Sequence, residues 1–258
     1  MRKLTLSYTS WDTMHQCGWK YFLRYIKHIK PYIPIRYPLV TGVAFHELVS
    51  DMYKACNFDL DFLIKNWKSS FVKHLEKEAD GFSSTKGYEK HLNYGYGLIK
   101  KFHKFAKAGG YLIPPIQSEW PYEFKFGNAK LVGKVDLIIQ RKGIEFIEIL
   151  DFKTGYSVAS QESVDTSRQL TIYDWAVKKE FKFKSTQVGL FYPRHDKILL
   201  SERTPDDYKN MLVGFNDLYK SVVKKEFIPN VLNCGHCEFK EYCDFYKKEH
   251  LTLDKSVL

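Results

Sequence analysis

Cysteine is scarce, with five residues in a chain of 258. That is far too few for a disulfide-stapled scaffold, and it points to a reducing compartment. Long apolar runs are also missing. The most apolar strand-like stretch, residues 131–139, is interrupted by Lys134 and Asp136, whereas a bilayer span needs roughly 18 to 20 apolar residues. No membrane role is expected. The opening residues, Met1-Arg2-Lys3-Leu4-Thr5-Leu6-Ser7-Tyr8, are basic and hold no apolar stretch long enough for a secretory signal. A soluble, cytoplasmic protein is therefore expected. No Gly-xxxx-Gly-Lys-Ser/Thr phosphate loop occurs, so an ATP-driven motor would have to be another chain. Arginine supplies only seven of the 40 basic residues. Bidentate base reading favours arginine, so contact with a nucleic-acid backbone is a better expectation than sequence-specific reading.

What is present belongs to a globular protein: 44% hydrophobic, 16% aromatic and 27% charged residues exclude a mostly disordered or low-complexity chain. The length allows one large domain or two small ones. The net charge of +10 is unevenly spread. Residues 1–115 hold 18 Lys and Arg against 9 Asp and Glu, and residues 116–258 hold 22 against 21. A surplus confined to the first part suits the steering of a polyanion towards a site elsewhere, and it suits equally a set of solvated lysine-rich helices.

Periodicity predicts a helix that starts at an N-cap Ser10 and carries Trp11, Met14, Phe22 and Tyr25 up to Pro31. Pro31, Pro34 and Pro38 form a stiff connector. Ala44, Phe45, Leu48, Val49, Met52 and Tyr53 then mark an apolar helix face, with Cys56 expected to be buried on it. Helices follow near 59–78 and 88–108. In the second, Lys100, Lys101, Lys104 and Lys107 interleave with Phe102 and Phe105, a mix that could track a phosphate backbone or simply be an amphipathic helix with solvated lysines. After Pro114-Pro115 the spacing changes to three strands in a meander, 118–126, 129–139 and 144–152. A helix over 162–179, strands near 186–192 and 197–200, and a helix over 205–225 capped by Thr204 complete a mixed sheet flanked by helices.

The sharpest chemistry is Gly133-Lys134-Val135-Asp136, followed by Asp151-Phe152-Lys153-Thr154-Gly155. Strand alternation sends Asp151 and Lys153 to one face and Phe152 to the other. If the intervening turn centres between Gly143 and Ile144, Asp136 lies across from Asp151, with side-chain roots roughly 5 Å apart. A turn centred one residue away breaks this alignment. Two such carboxylates repel unless a cation lies between them, and a hard divalent ion suits oxygen donors and phosphodiester cleavage. Lys153 would then orient water or neutralise charge on a phosphate.

Gly133-xx-Asp136, Ile149-Leu150-Asp151-Phe152-Lys153-Thr154-Gly155 and Gln169-xxx-Tyr173, with Gly42-Val43-Ala44-Phe45-His46-Glu47-Leu48 upstream, resemble the motifs of the RecB-like branch of the PD-(D/E)xK nuclease superfamily. The resemblance implies a restriction-endonuclease-like fold. It also implies Mg2+ or Mn2+ held by His46, Asp136, Asp151 and the carbonyl of Phe152, with Lys153 catalytic and Gln169 and Tyr173 lining the site.

Cys234-xx-Cys237-xxxxx-Cys243 lets three thiolates converge on one metal or cluster, and three ligands need a fourth. On spacing alone a structural Zn2+ is the stronger reading, and His236 offers a further ligand. Ser7-xx-Ser10, then Cys17-xx-Lys20-Tyr21-xx-Arg24-Tyr25, resemble the N-terminal motif of iron-sulfur RecB-like nucleases. These include AddB-type nuclease domains and CRISPR-associated RecB-like exonucleases, so the resemblance implies that Cys17 is the fourth ligand and that Cys17, Cys234, Cys237 and Cys243 hold a 4Fe-4S cluster instead.

The combined expectation is a single domain over 1–258. It comprises a basic helical segment (1–115), a catalytic sheet core (116–202) and a C-terminal helix with a Cys-rich cap (203–258). By the resemblance it is a metal-dependent exonuclease on single-stranded DNA ends, serving recombination, repair, phage DNA metabolism or CRISPR adaptation, with helicase or CRISPR-adaptation proteins as partners. The alternative is a non-catalytic DNA-end-binding scaffold.

Overall fold

A computed structural model describes residues 4–31, 36–78 and 85–247. Strands β1 (Leu4–Leu6), β2 (Gln117–Phe126), β3 (Ala129–Ile139), β4 (Ile147–Phe152), β5 (Thr186–Tyr192) and β6 (Lys197–Ser201) form a sheet in the order β1-β3-β4-β5-β6, with β2 also on β3. The sheet is mixed. β1 and β3 are parallel, β3 and β4 antiparallel, β4 and β5 parallel, and β5 and β6 antiparallel. The chain falls into two compact units, one of Met1–Ile33, Glu123–Gly133 and Lys209–Leu258, the other of Pro34–Tyr122 and Lys134–Tyr208.

In the first unit the leading helix differs from the sequence expectation at both ends. α1 spans Tyr8–Gln16 and its N-cap is Ser7: Ser10 N–H donates to Ser7 Oγ at 3.1 Å and Ser7 N–H to Ser10 Oγ at 2.9 Å. Ser10 therefore closes a reciprocal capping box from inside the helix. The helix also breaks at Cys17, whose backbone is extended. α2 (Gly18–Tyr21) and a π-helical turn (Phe22–Ile26) follow. Gly18 explains the break, because its N–H donates to Ile228 O at 2.9 Å and an added Cβ would meet the Ile228 backbone at 2.6 Å. Only glycine lets the two backbones approach so closely. Trp11 packs on Phe215, ring centroids 4.7 Å apart. β1, a strand absent from the sequence reading, pairs Leu4 with Ala129 and Leu6 with Leu131.

In the second unit α3 (Tyr37–Lys54), α4 (Leu60–Glu78) and α5 (Thr85–Ala108) bury Phe45, Met52, Trp67 and Phe102 against Leu137, Ile139, Leu150, Phe152 and Phe191 of the sheet. Pro38 belongs to the first turn of α3, where proline needs no N–H partner, and so lies outside the connector. Pro34 is not among the described residues. Cys56 is exposed beyond the end of α3 with φ +49°, which corrects its expected burial: the helix ends before its apolar stripe reaches that position. The strand expected from 144 begins at 147, after a turn. The helix expected over 162–179 is two, α6 (Gln161–Asp165) and α7 (Arg168–Phe181). Buried Arg203 donates to the carbonyls of Val164 at 2.7 Å and Asp165 at 2.9 Å, and Ser167 caps the new start. α7 packs against β4 and β5. Thr204 caps α8 (Pro205–Lys224), accepting from Asp207 N–H at 3.3 Å. In the first unit, Cys234 lies in a 3-10 turn at Val231–His236 that Cys237 ends, and Cys243 ends a second at Lys240–Tyr242. No helix among the described residues is long and apolar enough to cross a membrane.

Candidate active site

Strand register brings the carboxylates together. Leu137 lies opposite Leu150 and Ile138 opposite Ile149, so the next pair outward is Asp136 with Asp151, on one sheet face. The turn centres where the sequence required, with Gly143 at φ +80°. Asp136 Oδ2 accepts the Phe152 N–H at 2.8 Å. Lys153 shares the face of Asp151, its Nζ 2.6 Å from Oδ2. Phe152 turns into the core against Phe45, Phe102 and Phe191.

Two helices complete the group. Gln169 and Tyr173 stand one turn apart on α7, hence on one helix face. Gln169 Nε2 donates to Asp151 Oδ1 at 3.0 Å, its Oε1 accepts from Lys153 Nζ at 3.2 Å, and the Tyr173 hydroxyl donates to Asp151 Oδ1 at 3.4 Å. From α3, His46 Nδ1 lies 3.2 Å from Asp136 Oδ2. Gly42, one turn earlier, leaves room for the loop after β4, since a Cβ there would stand 3.0 Å from Thr154 Oγ1.

Glu119 on β2 was passed over in the sequence. Its Oε1 is 4.0 Å from His46 Nδ1, it pairs with Lys134, and its φ is +52°. A left-handed residue inside a strand re-aims its side chain, which simple alternation does not forecast. The available signal was Lys134, an opposite charge on the neighbouring strand. His46, Glu119 and Asp136 each offer one ligand atom, all within 4.8 Å of one another, and they are the one such group among the described residues. They line a cavity of about 690 Å³ together with Glu47, Lys134 and Thr154, while Asp151 is buried and does not line it.

The local field asks for a cation. Burial first, then the like charge of Asp136, pushes the Asp151 carboxyl up to about 6 against the opposing pull of Lys153 and His46. Burial by itself would lower the His46 imidazole, but the hydrogen bond and charge of Asp136, with Asp151 and Glu119, outweigh it and hold His46 above its ordinary value. Asp151 is buried, and its Oδ2 meets the Lys153 ammonium at 2.6 Å. Carboxylates with one imidazole fit a small divalent ion.

Lys100, Lys101, Lys104 and Lys107 are all exposed on α5, while the aromatics between them turn inward, Phe102 and Phe105 packing on Phe191. The aromatic half of that pattern is therefore core. In the first unit, Cys17, Cys234, Cys237 and Cys243 line one cavity of about 360 Å³, and none is in a disulfide. Burial pushes the Cys237 thiol up, and the charge of Glu238 adds to the rise. Lys20 and Arg24 both pair with Glu238, fixing the late segment to the early one.

A family model described as "PD-(D/E)XK nuclease superfamily" matches residues 5–244. The crystal structure of a "Putative exonuclease" from Eubacterium rectale superposes with a TM-score of 0.54, at 13% identity over 95% of this chain and 88% of that one, a likeness of fold. A second solved structure, of SSO0001, aligns at 15% identity over 92% of this chain and 96% of that one, with a TM-score of 0.36 too low to bear on the fold. No curated protein matches the sequence.

Proposed function

The chain belongs to the PD-(D/E)XK nuclease superfamily, and from that premise we propose that it is a metal-dependent exonuclease acting on single-stranded DNA ends. The observation that carries the proposal is the register that faces Asp136 with Asp151 while Lys153 stands 2.6 Å from Asp151. His46, Asp136, Asp151 and the carbonyl of Phe152, with Glu119 beside them, would hold Mg2+ or Mn2+. When bound, that ion supplies a Lewis acid and an acidified water for phosphodiester hydrolysis. Lys153 brings an ammonium to the phosphate, where negative charge grows as the P–O bond to the departing sugar oxygen breaks. Gln169 positions both partners, donating to Asp151 and accepting from Lys153. The single domain over 1–258 is part of the proposal, since β2 and β3 each contribute residues to both compact units.

Cys17, Cys234, Cys237 and Cys243 are the proposed ligands of a 4Fe-4S cluster. Four thiolate donors around one cavity support it. Anaerobically purified protein should be brown, with about four irons and four sulfides per chain. A colourless preparation carrying one zinc would replace the cluster by a structural Zn2+ site.

Labelled single- and double-stranded DNA, incubated with wild type, Asp151→Ala and Lys153→Ala with and without Mg2+ or Mn2+, tests the catalytic proposal. Wild type should shorten single strands only with metal, and each variant should lose about 100-fold or more. Equal DNA loss in all three proteins would overturn it. Tight end binding without metal-dependent cleavage would favour the scaffold.

A further inference from the structure

Just past the carboxyl ends of two parallel strands, a cationic and aromatic stack stands on the segments that leave them, one of which follows the candidate catalytic lysine. β4 and β5 pair Phe152 with Phe191, and Lys153 N–H donates to Phe191 O at 2.8 Å. The chain leaving β4 carries Tyr156, and the turn leaving β5 carries Arg194. The Arg194 guanidinium carbon lies 3.6 Å from the centre of the Tyr156 ring and 4.9 Å from that of Tyr94. The two rings are nearly parallel, 15° apart, with centroids separated by 6.2 Å. Arg194 donates to the Tyr94 hydroxyl at 3.1 Å, and that hydroxyl donates to the Thr154 carbonyl at 3.4 Å. Lys101 Nζ donates to the Arg194 carbonyl at 3.2 Å. The stack is thus tied to the residue that follows Lys153.

Core packing does not account for Tyr156, which is 60% exposed. Nor does charge economy account for Arg194, one of only seven arginines. An open tyrosine ring backed by a guanidinium, with a lysine alongside, is the chemistry that holds unpaired nucleotides: bases stack on the ring and phosphates meet the cations. Duplex DNA keeps its base faces stacked on one another and cannot use such a ring.

We propose that Tyr156, backed by Arg194 and Tyr94, is a stacking platform for an unpaired base of single-stranded DNA, with Lys101 meeting the adjoining phosphate. The proposal rests on the nuclease reading and deepens it, because it locates a preference for single strands in named side chains. These are binding and positioning residues, tied through the Thr154 carbonyl to the segment that follows Lys153.

The test measures binding in EDTA, where cleavage is stopped, using a fluorescein-labelled single-stranded oligonucleotide and its duplex. Tyr156→Ala should weaken single-strand binding by about 5- to 150-fold, the range that loss of one stacking aromatic produces. Tyr156→Trp should keep it, and duplex binding should change little in either variant. A terminal 2-aminopurine should be quenched on binding wild type and Tyr156→Trp, and much less on Tyr156→Ala. Unchanged single-strand affinity in Tyr156→Ala, or equal loss for single strand and duplex, overturns the platform. Metal-dependent cleavage by wild type, absent in Asp151→Ala, stands or falls separately. If wild type binds no DNA at all, the platform fails with it.

Discussion

His46 aims Nδ1 at Oδ2 of Asp136 from 3.2 Å, and that same oxygen accepts the Phe152 N–H at 2.8 Å. One atom therefore ties α3, β3 and β4 together. A carboxylate held by a backbone N–H keeps its direction, and groups that orient a ligand in this way tune metal affinity as strongly as many direct contacts. Side chains from a helix and three strands converge on this point, although they are scattered from residue 46 to residue 151.

Glu119→Gln keeps the side-chain volume and removes the charge beside His46 and Asp136. Mn2+ affinity should fall about 10- to 100-fold, read directly by titration calorimetry or by the electron paramagnetic resonance of free Mn2+. An unchanged affinity would show that Glu119 serves only as the partner of Lys134.

Gln169→Ala removes the donor to Asp151 Oδ1 and the acceptor of Lys153 Nζ together. Nuclease turnover should drop about 10- to 100-fold. Substrate affinity should be nearly unchanged, because Gln169 positions other groups and holds no substrate. A pure rise in KM would contradict that role.

Gly18→Ala drives a methyl into the Ile228 backbone. Overpacking of this kind costs about 1 to 3 kcal/mol, so urea unfolding should shift to lower concentration by a corresponding amount. A variant as stable as wild type would mean that the close approach relaxes freely.

His91 stacks on Tyr37, ring centroids 5.6 Å apart, and burial, with Lys90 nearby, lowers its imidazole below the ordinary value. The folded state favours the neutral ring, so the unfolded chain binds more protons as pH falls. The stability contributed is present above the unfolded value near 6.5 and is lost as pH drops through the lower folded one. His91→Phe keeps a stacking ring without a titrating group. Melting temperatures measured from pH 8 to 5 should fall more steeply for wild type than for the variant, and parallel curves would contradict the assignment.

Much of the site was legible because strand geometry is simple. Given a turn at Gly143, a period of two decides that Asp136 faces Asp151, that Lys153 joins them and that Phe152 does not. Glu119 was hidden by its own backbone, since a positive φ in mid-strand breaks the alternation on which any pattern reading relies. The leading helix misled for the opposite reason: Trp11, Met14, Phe22 and Tyr25 keep an approximate helical spacing across Cys17, while a distant backbone at Ile228 imposes the break. The lysines of α5 are exposed, as an amphipathic helix requires, yet the phenylalanines among them answer to Phe191, a partner that local spacing cannot reveal.

The pocket lined by Cys17 and Cys243 also fixes an order of events at the ribosome. Its walls come from residues 16–23 and 230–243, so the early cysteine waits through the synthesis of more than two hundred residues before its neighbours exist. The unit made of Pro34–Tyr122 and Lys134–Tyr208 has all its residues available sooner and can begin folding first, as domains commonly do during translation. A pocket with all four cysteines around it therefore exists only in chains translated past Cys243.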